Sequence, residues 1–131
     1  MKRDMELVRK ILLKLEENNI GNNDVIIEGY DRSIVAEHCS IMYKYGLIKN
    51  FNVASAGNNP YYIFWASGLT WEGHDFLDKI RDDGTWHKTV KTIAEKGLDM
   101  SIKTIGTIST AFITAATEGA VSAIMKNGGQ S

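Results

Sequence analysis

Leu47-Ile48-Lys49-Asn50-Phe51-Asn52-Val53-Ala54 and Tyr61-Tyr62-Ile63-Phe64-Trp65 are the two runs that decide the fold. The first opens an extended segment. The second is rich in aromatic and β-branched side chains, which suit a pleated and half-buried surface. Ser55-Ala56-Gly57-Asn58-Asn59-Pro60 lies between them, so the spacing predicts a β-hairpin with a six-residue tip. From Asn50 through Trp71 there is no Lys, Arg, Asp or Glu. That stretch of the hairpin therefore offers no cation to a phosphate.

Upstream, Met5, Val8, Ile11, Leu12 and Leu15 recur at helical spacing between Lys2 and Asn19, with Arg3, Glu6, Arg9, Lys10, Lys14, Glu16 and Glu17 on the other face. This amphipathic helix should stop at Asn18-Asn19-Ile20-Gly21, where Gly21 suits a left-handed closing residue. Val25-Ile26-Ile27, between Asn23-Asp24 and Gly29, reads as one short buried strand. A second helix is expected from about Asp31 to Tyr45. It carries Val35, Cys39 and Met42 on one stripe, turns Arg32, Ser33, Glu37, Ser40, Tyr43 and Lys44 outward, and stops at Gly46.

Downstream, Thr70 is placed to cap a helix from Trp71 to Asp82 that buries Trp71, Phe76, Leu77 and Ile80, and Asp83-Gly84 ends it. Thr85 caps a further helix through Lys96, with Trp86, Val90 and Ile93 on one side, and Gly97 marks its end or a kink. The segment from Leu98 to Met125 changes character, being rich in Ile, Ala, Thr and Gly. Ile102, Ile105, Ser109, Phe112, Ala116, Gly119 and Ala123 follow alternating steps of three and four, the spacing of a coiled-coil seam. The final Asn127-Gly128-Gly129-Gln130-Ser131 should fray. The expected organisation is a domain over residues 1–84, a helical extension over 85–126 suited to oligomerisation, and a disordered tail over 127–131.

Composition sets outer bounds. Of 131 residues, 44% are hydrophobic and 24% charged, which excludes disorder for most of the chain, and the net charge of −1 is not that of a strongly basic nucleic-acid binder. The lone Cys39 cannot form an intramolecular disulfide, which fits a reducing cytoplasm. Met1-Lys2-Arg3-Asp4-Met5-Glu6 lacks the apolar core of a secretory signal. No residue between Lys103 and Glu118 is charged, but that stretch is too short to span about 30 Å of hydrocarbon. A cytoplasmic protein is the expectation.

Helix, short strand, helix ending in Gly-Leu-Ile, hairpin, then Leu-Thr-x-x-Gly opening another helix is the plan of a winged-helix domain within an α+β, helix-rich chain. The residues that carry it are Tyr45-Gly46-Leu47-Ile48 and Leu69-Thr70-Trp71-Glu72-Gly73-His74-Asp75-Phe76-Leu77. Over residues 1 to 96 the chain also resembles the domain-of-unknown-function family 2513, common in bacteria, prophages and other mobile elements. The matching stretches are Met1 to Leu12, Glu28-Gly29-Tyr30, Glu37-His38, Gly46-Leu47-Ile48, Leu69 to Asp78, Ile80-Arg81-Asp82-Asp83 and Trp86. The resemblance implies a winged-helix-like fold and a small mobile-element protein, and it brings no catalytic residues.

Two features depart from a duplex-reading winged helix. Between Ile27 and Gly46 there is room for one good helix, whereas a helix-turn-helix needs two. The strongest local charge is acidic, in Glu72, Asp75, Asp78, Asp82 and Asp83, and would repel DNA. If DNA is bound, Arg32, Ser33, Ser40, Tyr43 and Lys44 on the second helix are the candidates for the groove, with Lys2, Arg3, Arg9, Lys10 and Lys14 for backbone phosphates.

His38, His74 and His87 lack the three- or four-residue spacing of helical metal ligands, so no metal and no cofactor are expected. Cys39 beside His38 points about 100° away from it and reads as a core thiol. Trp65, Trp71, Trp86, Tyr61, Tyr62 and Phe64 suit either core packing or a stacking and protein-binding platform. No carboxylate pair or triad points to an enzyme, and no small-molecule substrate is evident. The leading expectation is a non-enzymatic DNA-binding or regulatory factor that dimerises through Ile102, Ile105, Phe112, Ala116, Gly119 and Ala123. The alternatives are a protein-binding inhibitor or adaptor on the same scaffold, and a membrane-active effector that inserts its C-terminal helix.

Overall fold

The computed structural model describes residues 2–17 and 25–128. The expected helix stop at Asn18–Gly21, the Asn23-Asp24 boundary and the tail residues Gly129–Ser131 lie outside them. The chain is α+β and helix-rich, in the order α1 (Met5–Glu17), α2 (Arg32–Tyr45), β1 (Ile48–Ala56), β2 (Asn59–Leu69), α3 (Trp71–Ile80), α4 (Asp83–Lys96) and α5 (Ile102–Gly128). It divides into two compact units, Met1–Leu77 and Asp78–Ser131, with the division inside α3.

In the first unit, Asp4 caps α1, its Oδ1 accepting the amides of Glu6 at 3.0 Å and Leu7 at 3.2 Å. The expected stripe of Met5, Val8, Ile11, Leu12 and Leu15 is buried, and Leu7 and Arg9 are buried with it. Arg9, placed outward by its spacing, is only 7% exposed, because the buried arc of α1 is wider than one stripe. In α2, Val35, Cys39 and Met42 are buried as the spacing predicts, and Ala36 is buried with them. Gly46 closes α2 at φ 105°, a left-handed conformation that suits glycine, and its amide donates to the Met42 and Tyr43 carbonyls.

The short strand expected at Val25-Ile26-Ile27 does not form. Val25 is buried, but Ile26 is 69% exposed and none of the three carries strand pairing. A β-branched run anchors one side chain in the core without acquiring a partner strand. The only sheet among the described residues is β1 with β2, antiparallel, with Ile48 opposite Leu69, Asn52 opposite Trp65, and Val53 opposite Phe64. Its tip is Gly57-Asn58, with Gly57 at φ 58°, rather than six residues. The strands run further than their apolar cores because a tight turn lets pairing continue through Ala56 and Asn59, past an irregularity between Ala54 and Ala56.

In α3, Phe76 and Leu77 are buried as expected, whereas Trp71 is 78% exposed. Trp71 is the first helical residue after the Thr70 cap, at the edge of the apolar arc. The helix also stops at Ile80, two residues short of the expected Asp82.

In the second unit, Ile80 is buried and α4 begins at Asp83, not after Thr85. Asp82 is the cap, its Oδ2 accepting the Thr85 amide at 2.8 Å, so Asp83-Gly84 form the first turn of α4 instead of a break. Gly97 ends α4 in the left-handed conformation. Ser101 caps α5 by accepting the Thr104 amide at 3.1 Å, which sets the helix start at Ile102 rather than Leu98. At its other end α5 continues through Asn127 and Gly128, where the composition predicts fraying. Thr89, eight residues before Gly97, hydrogen-bonds Ser109, eight residues after Ser101, at 3.0 Å, so α4 and α5 run antiparallel. Trp86, Ile93 and Ile105 are buried around this pair.

Candidate interaction surfaces

The hairpin and α3 are locked to the end of α2 by a small polar joint. The Thr70 hydroxyl donates to the Gly46 carbonyl oxygen, the Thr70 amide donates to the Leu47 carbonyl at 3.1 Å, and the Thr70 Oγ1 accepts the Gly73 amide at 3.0 Å. A side chain at Gly73 would overlap the Leu47 carbonyl oxygen and lie 3.1 Å from its carbon. The two motifs Gly46-Leu47-Ile48 and Leu69-Thr70-Trp71-Glu72-Gly73 are thus one structural element in space. Leu47, Ile48, Leu69, Phe76 and Leu77 fill the core beneath it. Of the same motif, Trp71, Glu72, His74 and Asp75 face solvent.

The hairpin has two faces. Phe51, Phe64 and Ala66 turn toward the core, and Phe51 bridges Tyr43 and Phe64 with ring centroids 6.1 and 6.4 Å away. Nearer the tip, Val53 and Tyr62 continue this face but are exposed, and Ile63 and Trp65 are exposed on the opposite face; none of the four has a charged neighbour within the strands. Each strand of this two-stranded sheet also has an unpaired outer edge among the described residues. Natural edge strands usually carry charge or proline to discourage pairing. Here only Lys49, near the base of β1, and Pro60, beside the tip, serve that purpose.

The DNA candidates on α2 fall into three situations. Arg32 lies with its guanidinium carbon 4.7 Å from the centroid of the Phe64 ring, so it spans from α2 to β2. Tyr43 leans on Phe51, and Ser40 is half-buried. Ser33 and Lys44 are exposed. The sequence reading missed that Ile34, Ile41 and Tyr45 are also exposed on α2, as an outward apolar stripe at intervals of seven and four. The 34, 41, 45 spacing was the available signal, hidden behind the stronger inward stripe.

The histidines separate. His38 is 1% exposed, its Nε2 accepting the Asp4 amide at 3.0 Å, and its Nδ1 lies 2.8 Å from the Ile34 carbonyl oxygen. The accepting Nε2 leaves Nδ1 to carry the proton and donate. His38 therefore holds the cap of α1 onto α2. His74 is exposed and borders a cleft of about 270 Å³ at the hairpin base, with Glu16, Lys49, Asn50 and Ser67 among its walls. His87 is exposed on α4. Among the described residues no group of three or more His, Cys, Asp or Glu is placed to hold a metal ion. Burial pushes the Cys39 thiol up to about 12, as befits a core side chain.

Of the oligomerisation candidates, Ile105 is fully buried within its own chain and so cannot reach a partner. Ile102 and Phe112 are half-buried, and Ala116, Gly119 and Ala123 are exposed. α5 is long and apolar enough over Ile102–Asn127 to cross a membrane by length and composition alone, and very little of it is buried. The stretch from Lys103 to Glu118 understates it, because the apolar character resumes beyond Glu118.

A helix-rich α+β chain with a hairpin free of charge from Asn50 onward, exposed apolar side chains on its strands and a long, mostly exposed terminal helix is what these surfaces define. The chain belongs to the family described as "Hypothetical protein (DUF2513)", whose model matches residues 2–99. It is similar to a protein of Haemophilus influenzae described as "Uncharacterized protein", with 34% identity over 116 residues that cover 86% of this chain and 96% of the relative. That share of 131 residues exceeds the family segment, so the similarity continues into α5. No solved structure matches the chain.

Proposed function

We propose that this protein is a non-enzymatic regulatory adaptor of the cytoplasm, in which a winged-helix-like unit docks a segment of another protein on its hairpin. The order α1, α2, hairpin, α3 supports the winged-helix reading, and the family resemblance supports a setting in phages and mobile elements. The observation that carries the docking reading is the hairpin itself. Val53, Tyr62, Ile63 and Trp65 are exposed on strands with open edges and with no charged residue from Asn50 through Trp71. An extended apolar segment added along such an edge gains main-chain hydrogen bonds and side-chain pockets together. The exposed Ile34, Ile41 and Tyr45 on α2 favour a protein over a phosphate backbone.

A second reading, duplex binding through α2, rests on the exposed Ser33 and Lys44 and on Arg32. The two separate experimentally. A random-peptide display selection on the whole protein should enrich apolar, extended peptides whose binding is lost in Ile63→Lys and Trp65→Glu. The DNA reading instead expects a generic duplex to bind at low salt, with a salt slope that falls by about one unit for each phosphate-binding cation removed in Arg32→Ala and Lys44→Ala. Duplex binding of that kind, with no hairpin-dependent peptide, would overturn the adaptor reading.

A further inference from the structure

We infer, on the reading that the hairpin docks an extended peptide, that this peptide ends in the cleft at the hairpin base, where Lys49 and His74 hold its C-terminal carboxylate. Alternation along the strands places the cross-strand pairs Ala54–Ile63, Asn52–Trp65 and Asn50–Ser67 on one face, in that order from tip to base. Ile63 and Trp65, 46 and 36% exposed, leave apolar surface in solvent along it. The pair nearest the base, joined by a hydrogen bond from Asn50 Nδ2 to Ser67 Oγ at 3.3 Å, is part of the wall of the cleft of about 270 Å³. The apolar face therefore leads into the cleft.

Two helices close its far side. Leu15 and Glu16 come from the end of α1, and His74 comes from near the start of α3. A segment that follows the face toward the base meets these helices and must end there or turn away. A volume of about 270 Å³ is smaller than most small-molecule pockets and suits one terminal residue, with the apolar Leu15 and Leu69 to receive its side chain.

The charges select an anion. Lys49 is the one charged residue in either strand, and among the described residues neither its ammonium nor the His74 ring has a hydrogen bond or ion pair. The Lys49 stem lies across Gly68, where an added Cβ would come within 3.3 Å of the Lys49 Cβ. Glu16, the one acid in the wall, is half-buried and already engaged, and Glu72 and Asp75 of α3 are not part of the wall. Two donors thus stand open at the end of an apolar track, and a carboxylate that follows apolar side chains complements both. An internal Asp or Glu would instead need its backbone to continue past α1 and α3.

The whole protein is screened against a displayed library of random decapeptides with free C-termini, and the enriched sequence is made as the acid and as the C-terminal amide. The acid should bind about tenfold or more tighter than the amide. Lys49→Met keeps the stem over Gly68, so it should remove most of that difference at an unchanged melting temperature, and His74→Gln should reduce it. Lys88→Met, at an exposed position of α4, should leave the difference intact, whereas Ile63→Lys should weaken acid and amide alike. An amide that binds as tightly as the acid, a difference that survives Lys49→Met or His74→Gln, or one lost equally in Lys88→Met would each overturn the inference and leave the docking reading standing. An enriched motif that needs an internal Asp or Glu in place of the free terminus would do the same. Enrichment of no peptide sensitive to Ile63→Lys would overturn the docking reading itself, and the carboxylate site with it.

Discussion

The Thr70 hydroxyl donates to the Gly46 carbonyl oxygen, joining the first turn of α3 to the last turn of α2 across the base of the hairpin. The same oxygen of Thr70 accepts the Gly73 amide, so one side chain closes both helix ends. Thr70→Ala should cost about 1–2 kcal/mol, the loss of a cap with its partners left unpaired. Gly73→Ala should cost about 2 kcal/mol or more, since the added Cβ overlaps the Leu47 carbonyl. Urea denaturation measures both, and the expected order is Gly73→Ala worse than Thr70→Ala.

His38 should be observed as the Nδ1-protonated neutral tautomer, because its Nε2 accepts the Asp4 amide and its Nδ1 faces the Ile34 carbonyl. Nitrogen-15 shifts of the imidazole ring report this directly. His38→Leu leaves the Asp4 amide without its acceptor and should cost about 1–3 kcal/mol in a thermal or chemical melt.

Cys39 should be inert toward iodoacetamide in the native protein at pH 8 and react on unfolding. Burial raises its thiol to about 12, so the folded state disfavours the thiolate, and this group's contribution to stability is present below the unfolded thiol range and lost as pH rises toward about 12. Labelling followed by mass spectrometry, with and without denaturant, checks the expectation. Rapid native labelling would contradict the burial.

The Thr89–Ser109 hydrogen bond tests how α4 and α5 hold together. Either Thr89→Val or Ser109→Ala should cost about 1–2 kcal/mol, because the remaining hydroxyl is buried without that partner. The double variant should cost less than the sum of the two. A double-mutant cycle in urea measures the coupling, and strict additivity would show that the pair contributes nothing specific.

The three tryptophans should divide by solvent access. Trp71→Ala should change stability by less than about 0.5 kcal/mol, and acrylamide should quench Trp71 readily, as a side chain that is 78% exposed requires. Trp86, 1% exposed, should be protected from quencher. Single-tryptophan variants read the two signals separately.

What was legible in the sequence was whatever short-range chemistry decides. Helical spacing named the buried stripes of α1 and α2, β-propensity named the hairpin, and the glycines after Tyr45 and Lys96 named two helix ends, because each depends on residues within a turn or two of one another. The absence of charge from Asn50 through Trp71 was equally plain. Only the tertiary structure decided which apolar side chains the core could accommodate. Trp71 passed every local test for burial and lies in solvent, while Arg9 passed the tests for exposure and lies in the core, since both depend on how wide an arc of each helix its neighbours cover. Val25-Ile26-Ile27 had the composition of a strand but no partner, and a strand exists only where another backbone accepts its hydrogen bonds. The joint of Gly46, Leu47, Thr70 and Gly73 links residues more than twenty positions apart, beyond any local periodicity. For α5, spacing revealed a seam, and the finite length of α4 decided which half of it a single chain could cover.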